Sequence, residues 1–139
     1  MEEMNEKNNG EDMWLWLCSL KGLYRVQQKV LLDYFGTPKE LFGAPEDEIT
    51  ELPLLSGKQK REILISRSRW DGEKEWNALE KRGIRFISHE SQAYPARLRG
   101  IYDYPYGLFI KGRLPAAGKP AAAVVGARMC SAYGRHWAA

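Results

Sequence analysis

The residues best suited to chemistry lie near the end of the sequence, in Ala121-Ala-Ala-Val-Val-Gly-Ala-Arg-Met-Cys-Ser-Ala-Tyr-Gly134. An apolar run passes into Gly126, then into a polar turn, and Ser131 is placed to open a helix. This is a strand–loop–helix phosphate site in outline. Gly126 lets the backbone approach an anion closely, Ser131 offers both a cap and a hydroxyl, and first-turn N–H groups carry partial positive charge. Arg128 adds a planar cation that can grip two phosphate oxygens, each charge-assisted bond contributing about 1.5–3 kcal/mol. The loop is no dinucleotide fingerprint, because Arg128 and Ser131 stand where Gly-x-Gly-x-x-Gly needs glycine. Nor is it a Walker loop, since no Gly-Lys-Ser/Thr follows Gly126. The competing reading is an ordinary βα turn whose Arg128 pairs with a carboxylate.

Other candidates read as structural. His89 and His136 are single histidines with no Cys or carboxylate at ligand spacing, so neither points to catalysis or to a metal. Cys18 and Cys130 are too few for a disulfide framework, and Cys130, although beside Arg128, has no partner base. Lys58-Gln59-Lys60-Arg61 follows Leu52-Pro-Leu-Leu-Ser-Gly57, a loose likeness to a helix-hairpin-helix loop without its Gly-x-Gly turn, and reads as a solvated helix face. Trp14, Trp16, Trp70, Trp76 and Trp137 could stack on bases, but four of them fall at core-compatible helix positions or junctions. The cluster Tyr102-Asp-Tyr-Pro-Tyr106 fits either the flank of a groove or rings packed on a sheet.

The elements that must position the loop follow from composition and period. With 139 residues, 44% hydrophobic and 28% charged, the chain can build one modest core or two small ones sharing a face, which excludes a large multidomain enzyme. Its mean hydropathy is −0.51 and its longest apolar run is Ala121–Val125, far short of a membrane span. The start lacks the pattern of a signal peptide, and a cytoplasmic location is expected. Residues 1–12 carry five acids and one Lys and are expected to form an acidic flexible leader. Residues 13–80 hold ten bases and eleven acids, whereas 81–139 hold ten bases and two acids, a net +8. Such a basic region draws polyanions, of which nucleic acid is the commonest in a cytosol; membrane phosphate, small anions and plain solubilisation are the other readings of the same charge.

From residue 13 to 83 the apolar period is helical. Helices are expected over Asp12–Leu20, over Leu23–Phe35 with Leu23, Val26, Val30, Leu31 and Tyr34 on one side, and over Pro45–Leu52. Thr37 caps a start with Pro38 in the first turn. Ser56 opens a helix holding Ile63 and Leu64 inward and Lys58, Lys60, Arg61, Arg67 and Arg69 in solvent, and Asp71 caps another running to Gly83. The pattern then changes. Ile84–Ile87, Gly107–Lys111 and Ala121–Val125 read as strands, the third apolar on both faces as in a parallel sheet. The expected class is α/β, with a boundary near Gly83.

Tyr94-Pro-Ala-Arg-Leu-Arg-Gly-Ile-Tyr-Asp-Tyr-Pro105, Leu108-Phe-Ile-Lys-Gly112, Val124-Val-Gly-Ala-Arg128 and Ser131-Ala-Tyr-Gly134 resemble, in order and spacing, the DNA-processing protein family DprA, also called Smf. The likeness is close over 83–139 and looser over 13–82. It implies a bacterial cytosolic protein that binds single-stranded DNA during natural transformation and loads the RecA recombinase. It also implies a small helical domain of the sterile-alpha-motif kind over 13–83, followed over 84–139 by the beginning of a Rossmann-like DNA-binding domain. Gly126 for backbone approach, Arg128 for phosphate contact and Ser131 for its hydroxyl are the DNA-binding residues carried over, while Tyr133 and Gly134 shape the turn. No hydrolytic or transfer activity, no cofactor, no metal and no membrane are implied. The sequence stops at Ala139, within the helix expected after the third strand. A truncated form is therefore expected, with homodimer contacts only in a full-length protein. The readings from other classes are a nucleotide- or sugar-phosphate-binding Rossmann-like enzyme fragment, and a helical protein-interaction module with an unfolded remnant.

Overall fold

The computed structural model describes residues 2–137, with side-chain surroundings from Gly10 onward; Met1, Ala138 and Ala139 lie outside the described residues. Helices α1 (Glu2–Ser19), α2 (Arg25–Phe35), α3 (Pro38–Gly43), α4 (Glu46–Glu51), α5 (Gly57–Arg69) and α6 (Gly72–Lys81) follow one another. Strand β1 (Ile84–Ser88), the one-turn helix α7 (Ala96–Arg99), strand β2 (Gly107–Lys111) and helix α8 (Ala132–Trp137) come after them. A helical unit followed by the start of an α/β unit is the architecture that the change of hydrophobic period at Gly83 anticipates.

The helix boundaries have the expected local causes. Thr37, Ser56 and Asp71 each accept, through a side-chain oxygen, the backbone N–H three residues on, at 3.0–3.2 Å. Ser56 also donates its own N–H to Gln59 Oε1 at 3.0 Å, completing a capping box. Gly36 and Gly83 end α2 and α6 at φ of +89° and +65°, a conformation that a side chain disfavours. The turn Leu52–Gly57 buries Leu52 and Leu55 and serves to start α5, which accounts for it without a DNA-binding role.

Leu15, Trp16, Leu17, Leu31, Leu41, Ile49 and Ile63 are fully buried and form the centre of the core. Burying a side chain of this size contributes about 1.5–3 kcal/mol. Trp16 stands edge-on to Phe42 at 4.9 Å and donates its indole N–H to Ser66 Oγ at 3.0 Å. Trp14 stands edge-on to His89 at 4.6 Å and donates to Glu90 Oε2. Packing thus accounts for these tryptophans and for His89. The same cluster includes Phe86 and Tyr106, so the core continues across Gly83 into the strands.

Strands β1 and β2 pair antiparallel in the register Ile84↔Lys111, Phe86↔Phe109 and Ser88↔Gly107. Gly107 is required by packing: a Cβ there would sit 2.4 Å from the Phe86 ring and 2.9 Å from Cys18 Sγ. His89 N donates inward to Tyr106 O at 2.8 Å, so the preceding N–H, that of Ser88, points out of the sheet. Glu11 receives it.

Four expectations are corrected. Helix α1 begins at Glu2 instead of Asp12, and Glu11 and Asp12, assigned to a flexible leader, hold Ser88 and the Trp76 indole N–H respectively. On α2, Val26 and Tyr34 face solvent; the side that packs carries Gln28, Leu31, Leu32 and Phe35, and Gln28 is admitted because Nε2 donates to the Leu17 and Leu23 carbonyls. Arg67 is half-buried, its guanidinium donating to the Phe42 and Ala44 carbonyls and so tying α5 to the end of α3. Finally, Ala121–Val125 forms no strand: Val124 is 82% and Val125 90% exposed. An apolar strand needs neighbours on both sides, and among the described residues none lies beside it.

Candidate nucleic-acid interface

The segment 112–131 leaves β2 and runs through exposed backbone to α8. Ser131 caps that helix as its sequence position suggests: Oγ accepts the Gly134 N–H at 3.2 Å, and the Ser131 carbonyl accepts from Arg135 N at 3.0 Å. Gly126 has nothing within 4 Å of the place a Cβ would occupy, so its backbone is open to a ligand. Arg128 is exposed and makes no hydrogen bond among the described residues, so the carboxylate partner of the alternative reading is not found there. Gly126, Arg128 and Ser131 therefore share one exposed loop, with Ser131 already engaged as a cap.

An open concavity of about 600 Å³ lies against this loop, lined by Val125, Gly126, Cys130, Gly134, Arg135 and Trp137 among others. Arg135, not Arg128, supplies its cation. Sequence reasoning passed over Arg135, although its place four residues after Ser131 puts it one helical turn beyond the cap. Because α8 has only six residues, its peptide dipoles sum weakly, and attraction for an anion falls mainly to Arg128 and Arg135. Tyr133 and Trp137 stand 6.2 Å apart and exposed beside the concavity.

The upstream motif Tyr94–Pro105 is a structural clamp. Tyr94 is buried and donates its hydroxyl to Pro105 O at 2.7 Å, closing the loop between the two strands. Burial raises the Tyr94 and Tyr106 phenols above their ordinary value. Arg99 donates to the carbonyls of His89 and Ser91 at 3.0 and 2.7 Å. Arg25, from α2, donates Nε–H to Tyr104 O at 2.7 Å and lies 3.8 Å over the Tyr106 ring. Of the tyrosine cluster, Tyr104 and Tyr106 pack and only Tyr102 stands free in solvent.

Burial, with a smaller contribution from the Glu11 carboxylate, pushes the Cys18 thiol up to about 12, which keeps it protonated and unreactive. Among the described residues no group of three or more His, Cys, Asp and Glu side chains is gathered for a metal. No described helix is long and apolar enough to cross a membrane.

Residues 85–139, from β1 through the Arg128 loop, match the family described as DNA recombination-mediator protein A. Protein Smf of Escherichia coli (strain K12) is 30% identical over 126 residues, which cover 91% of this chain and 32% of Smf. In these stretches the chain is similar to the DprA/Smf family of DNA-processing proteins. It spans about a third of the length of that relative. No solved structure matches it.

Proposed function

We propose that the protein binds single-stranded DNA by electrostatic attraction and phosphate contact, in the service of DNA uptake and processing, and does no covalent chemistry on it. The observation that carries this reading is Arg128, an exposed guanidinium without a hydrogen-bond partner among the described residues, beside an open Gly126 backbone in a segment matched by a recombination-mediator family. The +8 charge of residues 81–139 supplies the long-range attraction. Protection of incoming DNA, delivery to a RecA-type recombinase and a cytoplasmic location belong to the same proposal. So do the division at Gly83 into a helical and a Rossmann-like domain and the roles of Gly126, Arg128 and Ser131.

Fluorescence anisotropy of a labelled oligothymidine, titrated with the protein between about 50 and 200 mM salt, tests the reading. On single strands the slope of log affinity against log salt is about −0.7 per neutralised phosphate. Arg128→Ala weakens binding and makes the slope shallower by about 0.7. Unchanged affinity and slope in that variant remove Arg128 from the site and overturn the loop as the DNA contact, and no binding of oligothymidine by the wild-type chain overturns the proposal.

A further inference from the structure

The end of the hairpin opposite Ser88 carries a second accumulation of charge that the Arg128 loop does not use. The register sets Lys111 across from Ile84, with Lys81, Arg82 and Arg85 just before and after it on one segment and Arg113 beyond Lys111 on the other. All five side chains are exposed. Among the described residues none forms a salt bridge, so their charge is not neutralised within the fold. Glu80 is the single acid at the adjoining cavity.

That cavity, about 650 Å³, lies at the Ile84 end of the hairpin and is walled by Trp76, Phe86, Ile84, Arg85, Arg113 and Glu80, with Phe109 outside its lining. Its aromatic wall is rigid: Phe86 is buried, and Trp76 is held by its indole N–H on Asp12. On the strand beside it Phe109 is 48% exposed, with its ring 5.1 Å from Phe86. An exposed ring beside a buried one, bordered by guanidinium groups, combines the two elements of single-strand recognition: a face for a base and cations for the phosphates on either side. Glu80 disfavours a phosphate inside the cavity and can accept an N–H from the edge of a base, the N3–H of thymine included, so the charges place phosphates at the rim and a base within.

We propose that this basic, aromatic end of the hairpin is a second contact for single-stranded nucleic acid, with a base held against Phe109 and the Phe86–Trp76 wall and the backbone held by Arg85 and Arg113. The choice of ligand rests on the function proposed above, but the residues are independent of Arg128. An intact duplex hides the base faces that the cavity accepts, so unpaired strands are preferred.

The test is the same titration on the full chain, with oligothymidine compared with a hairpin duplex, using variants whose folding is checked by circular dichroism. Arg85→Ala/Arg113→Ala weakens oligothymidine binding and makes the salt slope shallower by about 1.4, twice the single-contact value. Arg85→Lys/Arg113→Lys keeps the slope. Phe109→Ala lowers affinity about fivefold or more without moving the slope, because stacking releases no counterions. The double alanine variant titrating like the wild type overturns the proposal, as does a wild-type chain with no affinity for oligothymidine. Equal binding of duplex together with an inert Phe109→Ala overturns the base contact. A neutral double alanine variant beside a weakened Arg128→Ala removes this patch and keeps the loop. The reverse pair of results keeps the patch and removes the loop.

Discussion

Glu11 offers the sharpest test of how the N-terminal helix is held to the strands. Its carboxylate accepts the Ser88 backbone N–H at 3.0 Å and the Ser88 hydroxyl at 2.8 Å, and Ser88 is wholly buried. A hydrogen bond to a charged group contributes about 1.5–3 kcal/mol, and a buried donor left without a partner costs about 1–3 kcal/mol. Glu11 itself is half-buried, so in Glu11→Ala water reaches part of the vacated space and the lower end of each range applies. Two bonds at that end make Glu11→Ala about 3 kcal/mol less stable. Glu11→Gln differs in kind, because its amide oxygen accepts the N–H and its amide nitrogen can donate to the hydroxyl. Both contacts survive as neutral bonds of about half the strength, for a cost near 1.5 kcal/mol. Urea unfolding followed by tryptophan fluorescence reads both values, and the variants should rank wild type, then Gln, then Ala. An alanine variant within about 0.5 kcal/mol of wild type would show that α1 does not hold the strand end, and the packing argument for a single core would fail with it.

Two further outcomes follow from burial. Limited trypsin digestion should cut first at Arg113 or Arg128 in the exposed segment, leaving a stable core that retains β1 and β2; a stable product ending at Lys81 or Arg82 would contradict the packing of Phe86 and Tyr106. The Cys18 thiol ionises near 9 in the unfolded chain and near 12 in the fold, so above pH 9 the unfolded state binds fewer protons. Stability from this group is complete below pH 9 and falls by about 1.4 kcal/mol per pH unit towards pH 12, with Tyr94 and Tyr106 acting in the same direction. Cys18→Ala should make the decline shallower, and an identical alkaline slope would refute the assignment.

The parts of the fold legible in the sequence are those fixed by local chemistry. Thr37, Ser56 and Asp71 cap where they stand because a short side-chain oxygen and the free N–H groups of a first turn are neighbours along the chain. Ser131 does the same for α8, and Gly126 and Arg128 share its exposed loop, although the strand expected before them does not form. What could not be read depends on partners distant in sequence. Asp12 and Glu11 look like solvated acids until Trp76 and Ser88 arrive from 64 and 77 residues away. Arg67 looks like a surface cation until the end of α3 presents two carbonyls. The packed face of α2 is not legible from periodicity because Gln28 counts as polar there, while two backbone carbonyls make its burial inexpensive. Lys81, Arg85 and Arg113 gave no motif, since only the hairpin register brings them to one end.

The two cationic places differ in what holds them still, and this decides how each would contribute to binding. Arg85 stands on a paired strand beside the Phe86–Trp76 wall, so little backbone order has to be created when a phosphate arrives. Gly126 and Arg128 stand on exposed, unpaired backbone, where fixing each residue costs about 1–2 kcal/mol of conformational entropy. One charge-assisted bond of about 1.5–3 kcal/mol is therefore consumed by ordering one or two loop residues. The exposed valines beside the loop point to the remedy, because pairing Ala121–Val125 with a neighbouring strand would bury them and supply that order before the ligand binds. Affinity at Arg128 should rise with anything that completes a sheet there, whereas affinity at Arg85 and Arg113 should not.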